Sequence, residues 1–169
     1  MKRNLAALAL AAFAVSGLSS PVQAQSRSAD QLEAAIVFKI LKFVTLTTRS
    51  EESLSFCVER GAKSAPALLS LQGQRVREQR LAVRLVNGQN FRGCDVAYLR
   101  DTSAAAIEKA RAKGRLVIGR GTRFIDANGT IGLVQTGGQI RFEVNLDEAE
   151  RAGLKISSRL VRLAARVER

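Results

Sequence analysis

The sequence predicts an α/β fold: one three-layer domain with a mixed sheet, mostly parallel and finished by a C-terminal antiparallel hairpin. Three observations predict it. Strand-like and helix-like patterns alternate from Leu32 to Gly119, the sequence sign of a mostly parallel sheet with helices on its faces. Two further strand-like runs, 131–135 and 139–144, meet at Gly137-Gly138, a hairpin signal. Finally, 169 residues at 46% hydrophobic and 25% charged suit one globular core, and no repeat, low-complexity stretch or linker divides them.

The first 24 residues read as an export signal. Lys2 and Arg3 precede an apolar run from Leu5 to Leu18, Ser19-Ser20-Pro21 breaks it, and Val22-Gln23-Ala24 offers small or short residues to signal peptidase. At roughly 14 residues the run is short of the ~20 that a membrane-spanning helix needs. No Cys follows it closely, which argues against a lipoprotein signal. Cleavage after Ala24 is expected, leaving 25–169 as one exported domain with no membrane span. Gln25 to Ala29 read as a polar, mobile lead. Asp30, with Glu33 three residues on, forms a capping box. The helix that follows puts Ile36, Val37, Ile40, Leu41 and Val44 on one side and Lys39 and Lys42 on the other.

Leu54 to Val58 alternates as a strand, and 62–71 is a short helix. A second strand runs 81–86, Asn87-Gly88 marks a turn, and a third strand covers 96–99. Asp101, Thr102 or Ser103 caps a helix to Lys113, stopped at Gly114, and 116–119 is a fourth strand. After the hairpin, Asn145 with Glu148 caps a helix through Arg151 that Gly153 ends. Residues 154–156 are extended, and Ser157 or Ser158 starts a closing helix to Val167.

The chemistry is defined first by absences. There is no His, so the commonest general base and the commonest zinc ligand are missing. With no Trp and one Tyr, a stacking platform for single-stranded nucleic acid is poorly supplied. No catalytic residue, metal ligand or cofactor is assigned, and nucleic acid is not expected as a partner. Gly119-Arg120-Gly121 lacks the third glycine and the helix of a phosphate loop and reads as a turn. Glu51-Glu52 and Glu148 with Glu150 read as surface carboxylates. Ser157-Ser158 lacks the G-x-S-x-G context of a nucleophile and reads as a cap.

Cys57 and Cys94 are an even count in an exported chain, so a disulfide is the default. For a loop of this length the chain-entropy model gives about 4 kcal/mol. Neither Cys lies in a C-x-x-C motif, which argues against a redox sensor. The formal charge is +12. Arg159, Arg162, Arg166 and Arg169 share one face of the closing helix, and Arg75, Arg77, Arg80 and Arg84 cluster around the second strand. Acidic protein surfaces and anionic lipid headgroups are the candidate partners for such clusters, against the plainer reading of a solvated face.

The run from Gly132 to Ala164, GLVQTGGQIRFEVNLDEAERAGLKISSRLVRLA, resembles the C-terminal signature of the YfiR family of periplasmic proteins. There a hairpin is followed by R-F-E-I-N-L-D, then A-G-L-K-I-S-S and a leucine-rich helix. The first helix with its Phe43-Val44 end, Phe56-Cys57-Val58 and Gly93-Cys94-Asp95-Val96 match in order and spacing. The resemblance implies a non-enzymatic regulator in the periplasm. Such a protein binds the sensor region of an inner-membrane diguanylate cyclase, holds it inactive, and so lowers cyclic di-GMP and biofilm formation; a homodimer is compatible with it. Two departures stand out: no second cysteine pair near 119–129, and Thr45-Leu46-Thr47 where relatives carry an aromatic. Expected contacts are Arg141, Phe142 and Glu143 of the signature with Arg159 and Arg162 of the closing helix. Arg141 and Glu143 share a strand face, which serves either docking or a structural ion pair. Under docking, Glu143→Lys abolishes repression and leaves the melt intact. The competing reading is an exported binding module for a small anionic ligand or envelope component.

Overall fold

The computed structural model describes residues 22–47, 50–88 and 90–169. In chain order the first elements are α1 (Val22–Phe43), β1 (Val44–Thr45), β2 (Ser53–Glu59), α2 (Ala65–Leu69), β3 (Arg75–Val76), β4 (Gln79–Val86) and β5 (Val96–Tyr98). There follow α3 (Ala104–Ala110), β6 (Leu116–Arg120), β7 (Ile131–Thr136), β8 (Gln139–Asn145), α4 (Leu146–Arg151), β9 (Lys155–Ile156), α5 (Ser158–Leu163) and β10 (Arg166–Glu168). The expected export signal lies outside the described residues except for 22–24, which start α1.

The main sheet has eight strands in the order β10-β8-β7-β6-β5-β2-β4-β3. The five strands from β4 to β7 are mutually parallel, and β8 returns antiparallel through the Gly137-Gly138 hairpin. Short β1 and β9 form a separate antiparallel pair. Alternation along the strands sorts two cores. Leu54, Phe56 and Val58 of β2, with Val96, Tyr98, Leu116, Ile118, Ile131 and Leu133, face α1 and α2. Cys57, Ala97 and Val117 face Ala106, Ile107 and Ala110 of α3 on the other side. That is the three-layer mixed α/β arrangement the sequence predicts.

Four local expectations are corrected. Gln25–Ala29 is helical rather than a loose lead, because the stretch holds no Gly or Pro and α1 propagates back through it. Asp30 is therefore inside the helix, not its cap, and Glu33 turns inward, 1% exposed. Helix α3 stops at Ala110, where Arg111 is extended, and Gly114 (φ +79°) instead forms a turn whose N–H donates to Ala152 O. The closing helix ends at Leu163: Ala164 turns extended (ψ 141°), and Ala165 N donates to Phe142 O. This delivers Arg166–Glu168 to the edge of β8 as a parallel strand, with Arg166 opposite Glu143. Edge pairing plus that charge match outcompetes one more turn of helix, so Arg166 and Arg169 leave the helix face.

Gly119 and Gly129 sandwich the buried Phe124 ring. A Cβ at either position would stand 2.3 Å or 2.2 Å from ring carbons, so the glycines are there to admit the ring. Cys57 and Cys94 form a disulfide with a Cα–Cα distance of 5.8 Å, linking β2 to the segment leading into β5. No described helix is long and apolar enough to cross a membrane.

Candidate functional site

Strand β8 carries three of the expected contact residues, and its alternation splits them. Phe142 faces the α1 side, half-buried against the main core. Arg141 and Glu143 alternate with it along the strand, Arg141 exposed and Glu143 8% exposed. Glu143 Oε2 accepts from Arg166 Nη2 at 3.0 Å. The same guanidinium reaches Asp126 Oδ1 at 2.6 Å, Thr122 O at 3.1 Å and Glu168 Oε2 at 3.5 Å. Hydrogen bonds to Glu143 first and Asp126 second push the Arg166 pKa above its ordinary value. Arg166 therefore clamps β8, β10 and the 121–128 turn together.

Arg159 and Arg162 are exposed on α5, whose N-cap Ser157 accepts from Leu160 N. Between α1, β8 and α5 lies a largely apolar groove of 270 Å³ lined by Ile36, Ile40, Phe43, Phe142, Leu160 and Leu163, with Lys39 and Arg141 also in its wall. Leu163 is 57% exposed beside it. The expected contacts thus divide between the two sheet faces. Phe142, Arg141 and α5 border the groove, and the Glu143 clamp lies on the opposite face.

Three buried carboxylates escaped the sequence reading. Glu33 accepts from the Tyr98 hydroxyl; Ser64 Oγ stands 2.7 Å from Glu33 Oε1, and Arg120 Nε lies 3.3 Å from Glu33 Oε2. Burial first, then the Glu33 charge, raises the Tyr98 pKa far above the ordinary 10.0. Glu59, 3% exposed, accepts from Arg100 N at 2.8 Å and Asp101 N at 3.1 Å. Glu59 ends β2 and those amides follow β5, at the carboxyl ends of two neighbouring strands where the sheet's connections diverge and α/β proteins usually seat a ligand. A glutamate of the chain's own already fills that role.

Glu148, also 3% exposed, sits in a 190 Å³ cleft between α3 and α4 lined by Arg111, Lys113, Arg115 and Arg151. It meets Arg111 Nε at 2.7 Å and pairs with Arg151. Arg115 gives its donors to Cys94 O, Ala110 O and Phe91 O. The three arginines of this cleft are thus engaged from within. No cluster of metal-ligating side chains occurs among the described residues.

Fold and site together define a disulfide-linked α/β domain built on a mixed, mostly parallel sheet. The chain belongs to the YfiR/HmsC-like family, whose model matches residues 30–165. Among solved structures it is similar to a conserved domain protein from Vibrio cholerae O1 biovar El Tor, with a TM-score of 0.52 and 15% identity. It is also similar to an ABC domain in complex with L-Trp from Streptococcus pneumoniae, with a TM-score of 0.51 and 9% identity. Each alignment covers 82% of this chain and 60% of the other, and at these identities the likeness concerns the fold alone. No curated protein matches.

Proposed function

We propose that this protein is an exported periplasmic regulator that binds the sensor region of an inner-membrane diguanylate cyclase and holds it inactive, lowering cyclic di-GMP signalling and biofilm formation. Membership of the YfiR/HmsC-like family over residues 30–165 carries the proposal. It acts by binding, not by catalysis. To repress, it must bind the inactive cyclase more tightly than the active one, because equal affinity shifts nothing.

We assign the contact surface to Phe142 and its groove, with Arg141 in the groove wall and the exposed guanidinium groups of Arg159 and Arg162 beside it on α5. Glu143 serves this surface indirectly, by fixing β8 against β10. The competing reading, capture of a small anionic ligand, has less support, since Glu59 and Glu148 occupy the donors such a ligand would use.

The test is cellular cyclic di-GMP, measured by mass spectrometry in a strain lacking this chain, its parent, and a strain resupplied with wild type or with Arg159→Glu/Arg162→Glu. A several-fold rise on deletion, reversed by wild type but not by the double variant, is expected. Unchanged levels across growth conditions refute cyclase repression. Full rescue by the double variant removes α5 from the contact surface.

A further inference from the structure

We propose that the outer edge of β4, together with the β3–β4 hairpin, is a docking edge for an extended acidic segment of another protein, which adds to the sheet as a strand. The backbone comes first. Strand β3 covers only Gln79 and Arg80 of β4. Beyond it, Leu81 N donates to Gln74 O and Leu81 O accepts from Gly73 N, both at 2.8 Å. Val83 N is met by a side chain, Gln72 Oε1, at 2.6 Å. In a parallel ladder alternate residues face the neighbouring strand. Arg80 N and Val86 O bond on the β2 side, so Leu81, Val83 and Leu85 point their backbone groups outward. Val83 O and both backbone groups of Leu85 have no partner among the described residues. This edge carries apolar, half-buried Val83 and Leu85, with neither a proline nor a lysine to blunt it.

Charge then selects the occupant. Arg75, Arg77, Arg80 and Arg84 are all exposed; Arg84 Nη2 donates to Arg92 O at 2.8 Å, and no ion pair reaches any of the four among the described residues. Arg75 stands directly opposite Arg80 across the β3–β4 ladder, a like-charge pairing that Glu52 and Glu78, lining the same cleft, only partly offset. Arg77 holds φ +55° at the hairpin tip, a conformation that favours glycine or asparagine. Two local penalties are thus accepted to keep arginines here, which points to use rather than solubility. A second copy of this chain would set arginines against arginines. An anionic lipid surface offers acceptors alone and leaves the Val83 and Leu85 carbonyls unanswered. An acidic polypeptide strand supplies carboxylates for the arginines and both N–H and C=O for the edge, displacing the Gln72 amide.

The experiment uses the full disulfide-bonded domain and the peptide acetyl-Glu-Val-Asp-Val-Glu-Val-Asp-amide. Its controls are a counterpart with lysine at every acidic position and an analogue N-methylated at alternate residues. Binding of the acidic peptide, read by titration calorimetry, is expected to slow exchange of the Leu85 amide at least tenfold. The lysine and N-methylated peptides are expected not to bind. Arg77→Gly is expected to raise the melting temperature while weakening binding at least threefold, a combination that a purely structural Arg77 does not produce. Arg80→Glu is expected to weaken binding at least fivefold with the fold intact. The proposal is overturned if Leu85 exchanges at its free rate under saturating peptide, or if the N-methylated peptide binds equally well. Equal protection of Leu85 by phosphatidylglycerol vesicles, or by self-association without peptide, also overturns it.

Discussion

Raising the pH should unfold this protein through its single tyrosine. Tyr98 is 1% exposed, and its hydroxyl donates to the Glu33 carboxylate. Ionising it in place would bury a phenolate against a carboxylate, so the folded protein holds this proton well past the ordinary value of 10.0. The unfolded chain releases it near that ordinary value. Stability from this group is therefore complete below about pH 10 and falls above it by about 1.4 kcal/mol per pH unit for as long as the folded protein keeps the proton. The assay is direct, because one Tyr and no Trp make tyrosinate absorbance near 295 nm a signal from Tyr98 alone. That absorbance should rise together with the loss of far-UV circular dichroism, and Tyr98→Phe should shift the alkaline transition upward. A titration midpoint near 10 with the dichroism unchanged would refute the buried-pair argument.

Further outcomes follow from the same geometry. Glu143→Lys sets a like charge against Arg166; since that arginine is 36% exposed, the loss is discounted to about 2 kcal/mol, a drop of about 4–8 °C in the melt. Adding Arg166→Glu should recover much of it, and a Glu143→Lys melt equal to wild type would return Glu143 to the docking surface. Gly129→Ala drives a methyl into the Phe124 ring, costing about 2 kcal/mol in denaturant unfolding, and Phe124→Leu in the same chain should relieve part of the loss. Reducing Cys57–Cys94 should lower stability by about 4 kcal/mol, read as a fall in melting temperature of about 10 °C; an unchanged melt would mean that the unfolded chain gains no freedom.

The elements that sequence patterning located were those whose side chains face a core. Leu54-Ser55-Phe56-Cys57-Val58 alternates because β2 lies between two layers, and Ser103, Asn145 and Ser157 cap helices in the way short polar side chains do. Strands β1, β3 and β10 were not legible. At two or three residues each they owe their conformation to a partner strand distant in the chain. Arg166 shows the cost of that blindness: its i, i+4 spacing from Arg162 imitates a helix face, while its true neighbours are Glu143 and Asp126. Glu33 misled for a related reason. Its place three residues after Asp30 fits a capping box, and nothing local announces that Tyr98 and Ser64 wait for it inside. At the candidate site the alternation of Phe142 with Arg141 and Glu143 was readable, but the clamp of Arg166 on Glu143 and the groove formed with α1 and α5 were not, because both join segments distant in the chain.

The disulfide also decides how load travels through the molecule. Cys57 and Cys94 close a ring around α2, β3 and β4, and a pull on the chain ends passes through the sulfur bridge and bypasses that ring. With the cysteines 37 positions apart and 5.8 Å between their Cα atoms, the oxidised chain should stretch about 120 Å less than the reduced one at ~3.5 Å per residue. The arginine-rich edge would then remain unstretched on a taut chain, and only a reductant would expose it to the force.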